Sequence, residues 1–261
     1  MKKLIHHCLD AGHPIMVSDR GACRCLQFGL TSCEQSRIDL SNPQKLQIAY
    51  TQTMMSGLLF QQQPKRILLL GLGGGSMVHF LLHHLETVQL DVVEQSAGVI
   101  RVAHDFFALP GSDRLRLVNT RAEDFLRHEP ATKAPGYDLI LVDLFGPDCM
   151  AQALFDEAFH TLLLTRLSNR GLAIYNLWSG NKDAFGAACS AIDLAFSNRV
   201  LRLPVFEDPN ICLLAFTGRP PQETSGDLVR IKRLAKRFDL DFERMNKQLT
   251  ENNKEWAKGM Q

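Results

Sequence analysis

Five residues have the type and spacing to do chemistry. Gly71, Gly73 and Gly75 stand in "LLLGLGGGSM", where an apolar run collapses into a glycine loop and a helical pattern begins. Glycines there let the backbone turn tightly and approach a ligand, and the following helix offers free N–H groups. Glu94 closes the next apolar run, "VQLDVVE", about twenty residues on, where an acid accepts hydrogen bonds from ribose hydroxyls. Asp143 closes "YDLILVD". A carboxylate at that end of a buried strand can bind a cation or take a proton from an amine.

The loop alone does not name its ligand. A dinucleotide loop wants glycine at the sixth position, and here that position is Ser76. A nicotinamide dinucleotide, an adenosyl sulfonium and a plain ligand-free turn remain open from these residues. Among other candidates, His79 and His83 share a helix face with His84 close by, and the plainer reading is a polar surface; no metal site is expected. Trp178 either covers the crevice or belongs to the core.

The elements that must position these residues alternate. "RILLLG", "VQLDVVE", "RLRLVN", "YDLILVD" and "GLAIYNLW" read as strands, each followed by a helical stretch. Such alternation implies a parallel sheet with helices on both faces. "NRVLRLPVF" and "NICLLAFTG" close it with no helix between them, as an antiparallel pair at the edge. Residues from about Ile15 to Leu40 read as a hairpin plus a third strand. The expected division is a small N-terminal β domain over 1–44, an α/β domain over 45–218 and a charged helical tail over 219–261.

Composition narrows the class. The 261 residues carry a formal net charge of +1, which draws the chain to neither nucleic acid nor membrane. No apolar stretch is long enough to span a bilayer. The N-terminal "MKKLIHHCLDAGHP" lacks the apolar core of a signal peptide, and seven irregularly spaced cysteines suit a reducing compartment. The expectation is a cytoplasmic protein.

From about Val17 to Gly218 the chain resembles the spermidine/spermine synthase family, the polyamine aminopropyltransferases. The resemblance rests on the hairpin layer, "AYTQTMM", "LLLGLGGGS", "DVVE", "YDLILVDLFGP" and "LFDEAFHTLLLTRLSNRGLAIYN", in order and at matching spacing. It implies a Rossmann-like methyltransferase fold, with a seven-stranded, mostly parallel sheet behind a small N-terminal β domain. It also implies polyamine biosynthesis: an aminopropyl group passes from decarboxylated S-adenosylmethionine, a co-substrate, to a small amine, with no permanently bound cofactor. By position, Gly71, Gly73, Gly75, Glu94, Asp124 and Gln35 would serve the nucleoside. Asp143 would be the catalytic acid, and Tyr50 and Asp148 would meet the amine. No nucleic-acid or membrane partner is implied, and a homodimer is left open.

The chain departs from the family where acids are expected: it has Gly74, Ser96, Arg121 and Gly146. A less anionic pocket favours an ordinary S-adenosylmethionine donor, a less cationic acceptor or lost catalysis, so a methyltransferase and a degenerate member that binds a nucleoside without chemistry stay open as alternatives.

Overall fold

The computed structural model describes residues 2–10, 12–28, 34–128, 136–146, 150–221 and 227–254. Its centre is a seven-stranded sheet built from β5 (Arg66–Leu70), β6 (Gln89–Glu94), β7 (Leu115–Asn119), β8 (Tyr137–Val142), β9 (Leu167–Trp178), β10 (Val200–Pro204) and β11 (Asn210–Phe216). The spatial order is β10-β11-β9-β8-β5-β6-β7. β5 pairs in parallel with β8, Ile67 opposite Leu139 through Leu70 opposite Val142. β11 runs antiparallel to both β9 and β10.

The central strands β5 and β8 form because they are short, nearly unbroken apolar runs, the pattern of strands buried on both faces. Alternate residues serve opposite cores. Ile67 and Leu69 of β5 pack with α2 (Ser76–His84), α3 (Ala97–Phe107) and the N-terminal sheet. Leu68 and Leu70 pack on the other face with α4 (Ala122–His128), α5 (Glu157–Leu164) and α6 (Lys182–Ala195). Two C-terminal helices, α7 (Leu228–Phe238) and α8 (Phe242–Asn252), bury Ile231, Leu234, Phe238, Phe242 and Leu249 in the first core.

The N-terminal sheet has four antiparallel strands in sequence order: β1 (Lys2–Asp10), β2 (His13–Arg20), β3 (Cys23–Phe28) and β4 (Glu34–Asp39). β1 is one strand more than the sequence pattern indicates. It is an edge strand with Leu4 and Leu9 largely exposed, and a register shift between Leu4 and His6 breaks its alternation. β1 rests on α3, where the His6 ring stacks on Phe106.

Two helical stretches are shorter than their apolar periodicity suggests. The segment before β5 forms α1 (Ala49–Met54), then tightens into a 3₁₀ turn over Met55–Leu59. There a Cβ on Gly57 would come within 2.6 Å of Ile174. The segment after β8 divides into a 3₁₀ turn, Gln152–Phe155, and α5. Asp156 sets the break, capping α5 by accepting the N–H of Ala158.

Candidate active site

The glycine loop leaves the carboxyl end of β5 at the centre of the sheet. Gly71 has φ +97°, and a Cβ there would lie 2.1 Å from the carbonyl oxygen of Asp143. Only glycine allows β5 and β8 to stay paired at that point, with Asp143 N–H donating to Leu70 O at 2.9 Å. Gly75, at φ +82°, is the N-cap of α2. The loop thus delivers the start of α2 to the crevice between β5 and β8, where the chain connections diverge to either side.

Glu94 faces the loop from the end of β6. Its Oε2 accepts the N–H of Leu72 at 3.0 Å, and its Oε1 accepts the N–H of Ser96 at 2.8 Å. The carboxylate keeps acceptor capacity toward a ribose hydroxyl. Burial raises the carboxyl above its ordinary value; the N–H groups of Leu72, Ser96 and Gln95 oppose that rise, and Asp10 adds to it. Asp10 comes from the end of β1 and accepts a hydrogen bond from the Ser96 hydroxyl.

Ser96 is itself the N-cap of α3, accepting the N–H of Val99 at 2.9 Å. Serine and aspartate cap helices about equally well. The missing acid at Ser96 is therefore a change within a capping role and says nothing of a changed ligand.

Asp143 stands at the mouth of the crevice, half-buried. Asn176 Nδ2 donates to its Oδ1 at 2.9 Å, and the Tyr50 hydroxyl lies 3.2 Å from its Oδ2. Burial pushes its carboxyl up to about 6; Asn176 and Tyr50 hold it down, and Glu94 adds to the rise. Such a carboxyl is charged at neutral pH yet holds a proton more readily than a surface aspartate, which suits a base. The Tyr50 hydroxyl also donates to the carbonyl of Gln35 at 3.0 Å. Gln35, Tyr50, Glu94, Asp143 and the glycine loop are thus brought together from β4, α1, β6, β8 and β5.

Other candidates fall elsewhere. Asp124 pairs with Arg127 on an exposed stretch of α4. Arg121 is exposed and tied to Glu123, the more sheltered of the two acids on that helix. Asp148 lies outside the described residues. The His79 ring is within 3.0 Å of the carbonyl of Phe107, and His84 packs against Phe80 and Phe238. Trp178 is 39% exposed at the end of β9 and does not belong to the core.

Two residues at the site escaped the motif reading. Asn176 is 1% exposed, and a lone amide in the apolar strand "GLAIYNLW" was its signal. Ser36 on β4 lies against the loop: a Cβ on Gly74 would come within 2.9 Å of its Oγ. Nothing in the sequence indicated that contact.

The sheet order, the glycine loop and the acids on β6 and β8 define the class: a Rossmann-like protein of the methyltransferase fold with a small N-terminal sheet. The family follows from comparison with known proteins. The spermine/spermidine synthase domain matches residues 47–178. A polyamine aminopropyltransferase of Chromobacterium violaceum is 30% identical over 259 residues, 98% of this chain and 97% of its own. The chain belongs to the spermine/spermidine synthase family. Among solved structures, spermidine synthase from Thermotoga maritima superposes with a TM-score of 0.75 at 15% identity, over 99% of this chain and 87% of its own. A spermidine synthase in complex with the transition state analogue AdoDATO gives 0.72 at 14% identity, over the same shares.

Proposed function

We propose that the protein transfers an aminopropyl group from decarboxylated S-adenosylmethionine to a small amine. The observation that carries this reading is Asp143, held by Asn176 and Tyr50 beside a loop and ribose acid that suit an adenosyl group. Membership of a family whose relatives include named aminopropyltransferases supports it. Gly71, Gly73 and Gly75 shape the adenosyl pocket, Glu94 takes the ribose hydroxyls, and Gln35 borders the loop. Tyr50 and Asp143 receive the amine.

An amine attacks only as the free base. Asp143 orients the ammonium and takes one proton, which then passes to solvent. The freed nitrogen lone pair attacks the donor methylene bonded to sulfur. As the C–N bond forms, the C–S bond breaks with its electrons going to sulfur, and neutral methylthioadenosine leaves. The sulfonium charge is lost, and the nitrogen keeps a positive charge in the product. The chemistry requires no resident cofactor.

A second reading, methyl transfer from S-adenosylmethionine, is favoured by one observation. Gly74 leaves no acid at the loop to repel the carboxylate that only ordinary S-adenosylmethionine carries, and Ser36 lies against that position. The test is incubation with each donor and a panel of amines, with product mass and released thioether identified. An aminopropylated amine and methylthioadenosine support the first reading. A methylated product with S-adenosylhomocysteine would replace it.

A further inference from the structure

A third acid stands at the carboxyl ends of the strands, beyond Glu94 and Asp143. Asp208 is half-buried in the turn between β10 and β11. Because β11 runs antiparallel to β9, its first residue, Asn210, lies opposite Trp178 at the carboxyl end of the sheet. Asp208 Oδ1 accepts the Asn210 N–H at 2.9 Å, which fixes the side chain there.

From this turn a run of amides leads to Asp143. Asn210 Nδ2 donates to Asn176 Oδ1 at 2.8 Å, and Asn176 Nδ2 donates to Asp143 Oδ1 at 2.9 Å. Asn176 uses both ends of its amide in this run, and Asn210 reaches Asp208 through its backbone N–H, so the run is directional. The fields of the two acids overlap. Burial pushes the Tyr50 hydroxyl and the Cys212 thiol up, and both Asp143 and Asp208 add to the rise in each.

The sheet order lays the three acids out in a row, with Glu94 at the end of β6, Asp143 after β8 and Asp208 before β11. Only β9 separates β8 from β11. Two strand spacings amount to about 10 Å. A carboxylate–ammonium contact of about 3 Å at each end leaves about 4 Å between the nitrogens when the contacts lie in line and more when they are angled, which suits a short aliphatic chain with a nitrogen at both ends. It points away from the ribose acid. Leu144, Phe145 and Gly146, the described residues that follow Asp143, are not acids, and Asp148 lies outside the described residues. A second ammonium taken from water needs an acidic partner.

We propose that Asp208 is a specificity-determining residue for the acceptor, binding the far ammonium of a short aliphatic diamine whose near nitrogen is at Asp143. The proposal rests on the reading of the site as one that transfers a group to an amine. Trp178, exposed beside Asn210, gives the methylenes an apolar wall.

The test compares 1,4-diaminobutane with 1-aminobutane for wild type, Asp208→Asn and Asp208→Glu. Asparagine keeps an Oδ1 for the Asn210 N–H and so preserves the turn. The expected result is a fall of about 10- to 100-fold in the ratio of kcat/KM values, diamine over monoamine, in Asp208→Asn. The fall should lie in KM and be partly restored in Asp208→Glu. An unchanged ratio would overturn the proposal, because a merely structural role moves both amines together. Calorimetry of the diamine in the presence of methylthioadenosine separates the two ideas. If wild type turns over neither amine, the transfer reading fails, and diamine binding that is absent or equal in wild type and Asp208→Asn overturns the role of Asp208.

Discussion

The hydroxyl of Tyr50 lies between two acceptors, 3.0 Å from Gln35 O and 3.2 Å from Asp143 Oδ2. A hydroxyl has one proton to give, so it serves one of them at a time. When Asp143 is charged, the proton can serve the carboxylate. When Asp143 is protonated, Tyr50 can accept from it and donate to Gln35. The contact lowers the proton affinity of Asp143, and Tyr50→Phe removes it. A hydrogen bond to a charged group is worth about 1.5–3 kcal/mol, or about one to two pH units. The acid limb of the pH profile of kcat/KM should therefore move upward by that amount. A profile with an unmoved acid limb would disconnect Tyr50 from the base.

Asp143→Asn keeps the shape and removes the base. Turnover should fall by about 10²- to 10⁴-fold, with methylthioadenosine affinity in calorimetry nearly unchanged. In wild type, activity should fall as pH drops through about 6, where the carboxyl takes up its proton. Stability carries the opposite sign. A folded value above the ordinary 3.8 means that the folded state binds the proton more tightly, so stability is lost as pH rises from about 4 to about 6. Asp143→Asn should melt above wild type at neutral pH. About 3 kcal/mol is an upper bound, because the carboxyl is only half-buried and water screens it. A variant that melts lower, or turns over as fast, would contradict this account.

Glu94 joins two tasks, and its variants should show both. Glu94→Ala removes the acceptor for the N–H groups of Leu72 and Ser96 as well as for a ribose. Nucleoside binding should weaken by about 1.5–3 kcal/mol for each charge-assisted bond lost. Glu94→Gln keeps one carbonyl oxygen and should lose less. Titration of methylthioadenosine into the three proteins decides the matter, and equal affinities would remove Glu94 from the pocket.

Much of the fold was legible because its central strands are short and apolar throughout. "RILLL" and "YDLILV" announce buried parallel strands, and the glycines between the first strand and α2 mark where they open. β1 was hidden because it is an exposed edge held by backbone pairing, with a bulge that spoils its alternation. The break at Asp156 was masked by apolar residues on both sides at helical spacing. At the site, Glu94 and Asp143 were visible because each ends a strand. Tyr50 was reached only through the family resemblance, and Asn176 and Asn210 were not reached, because those contacts join distant segments. Asn176 meets Asp143 across 33 residues, and Asn210 meets Asn176 across 34. No local pattern encodes a pairing of that kind.

Gly74 and Ser36 form the contact that most distinguishes this pocket from the family resemblance, which implies an acid at the loop position. The decarboxylated donor carries an ammonium beyond its sulfonium, and an acid there would meet it. A Cβ on Gly74 would come within 2.9 Å of Ser36 Oγ and 3.1 Å of both Ser36 Cβ and Phe107 Cδ1. Gly74→Asp alone should therefore overpack the loop and cost about 1–3 kcal/mol, read as a lower Tm. Ser36→Gly relieves two of the three contacts and leaves only the Phe107 ring edge. The double variant should recover most of that stability. It should also gain about 10-fold or more in preference for decarboxylated over ordinary S-adenosylmethionine, because the added acid meets an ammonium that both donors carry and repels the carboxylate that only the ordinary donor carries. The readings are thermal denaturation of the three variants and calorimetric Kd values for both donors. Undiminished stability in Gly74→Asp would show that Ser36 does not crowd the loop. An unchanged donor ratio in the double variant would show that the donor carboxylate does not lie beside this loop position.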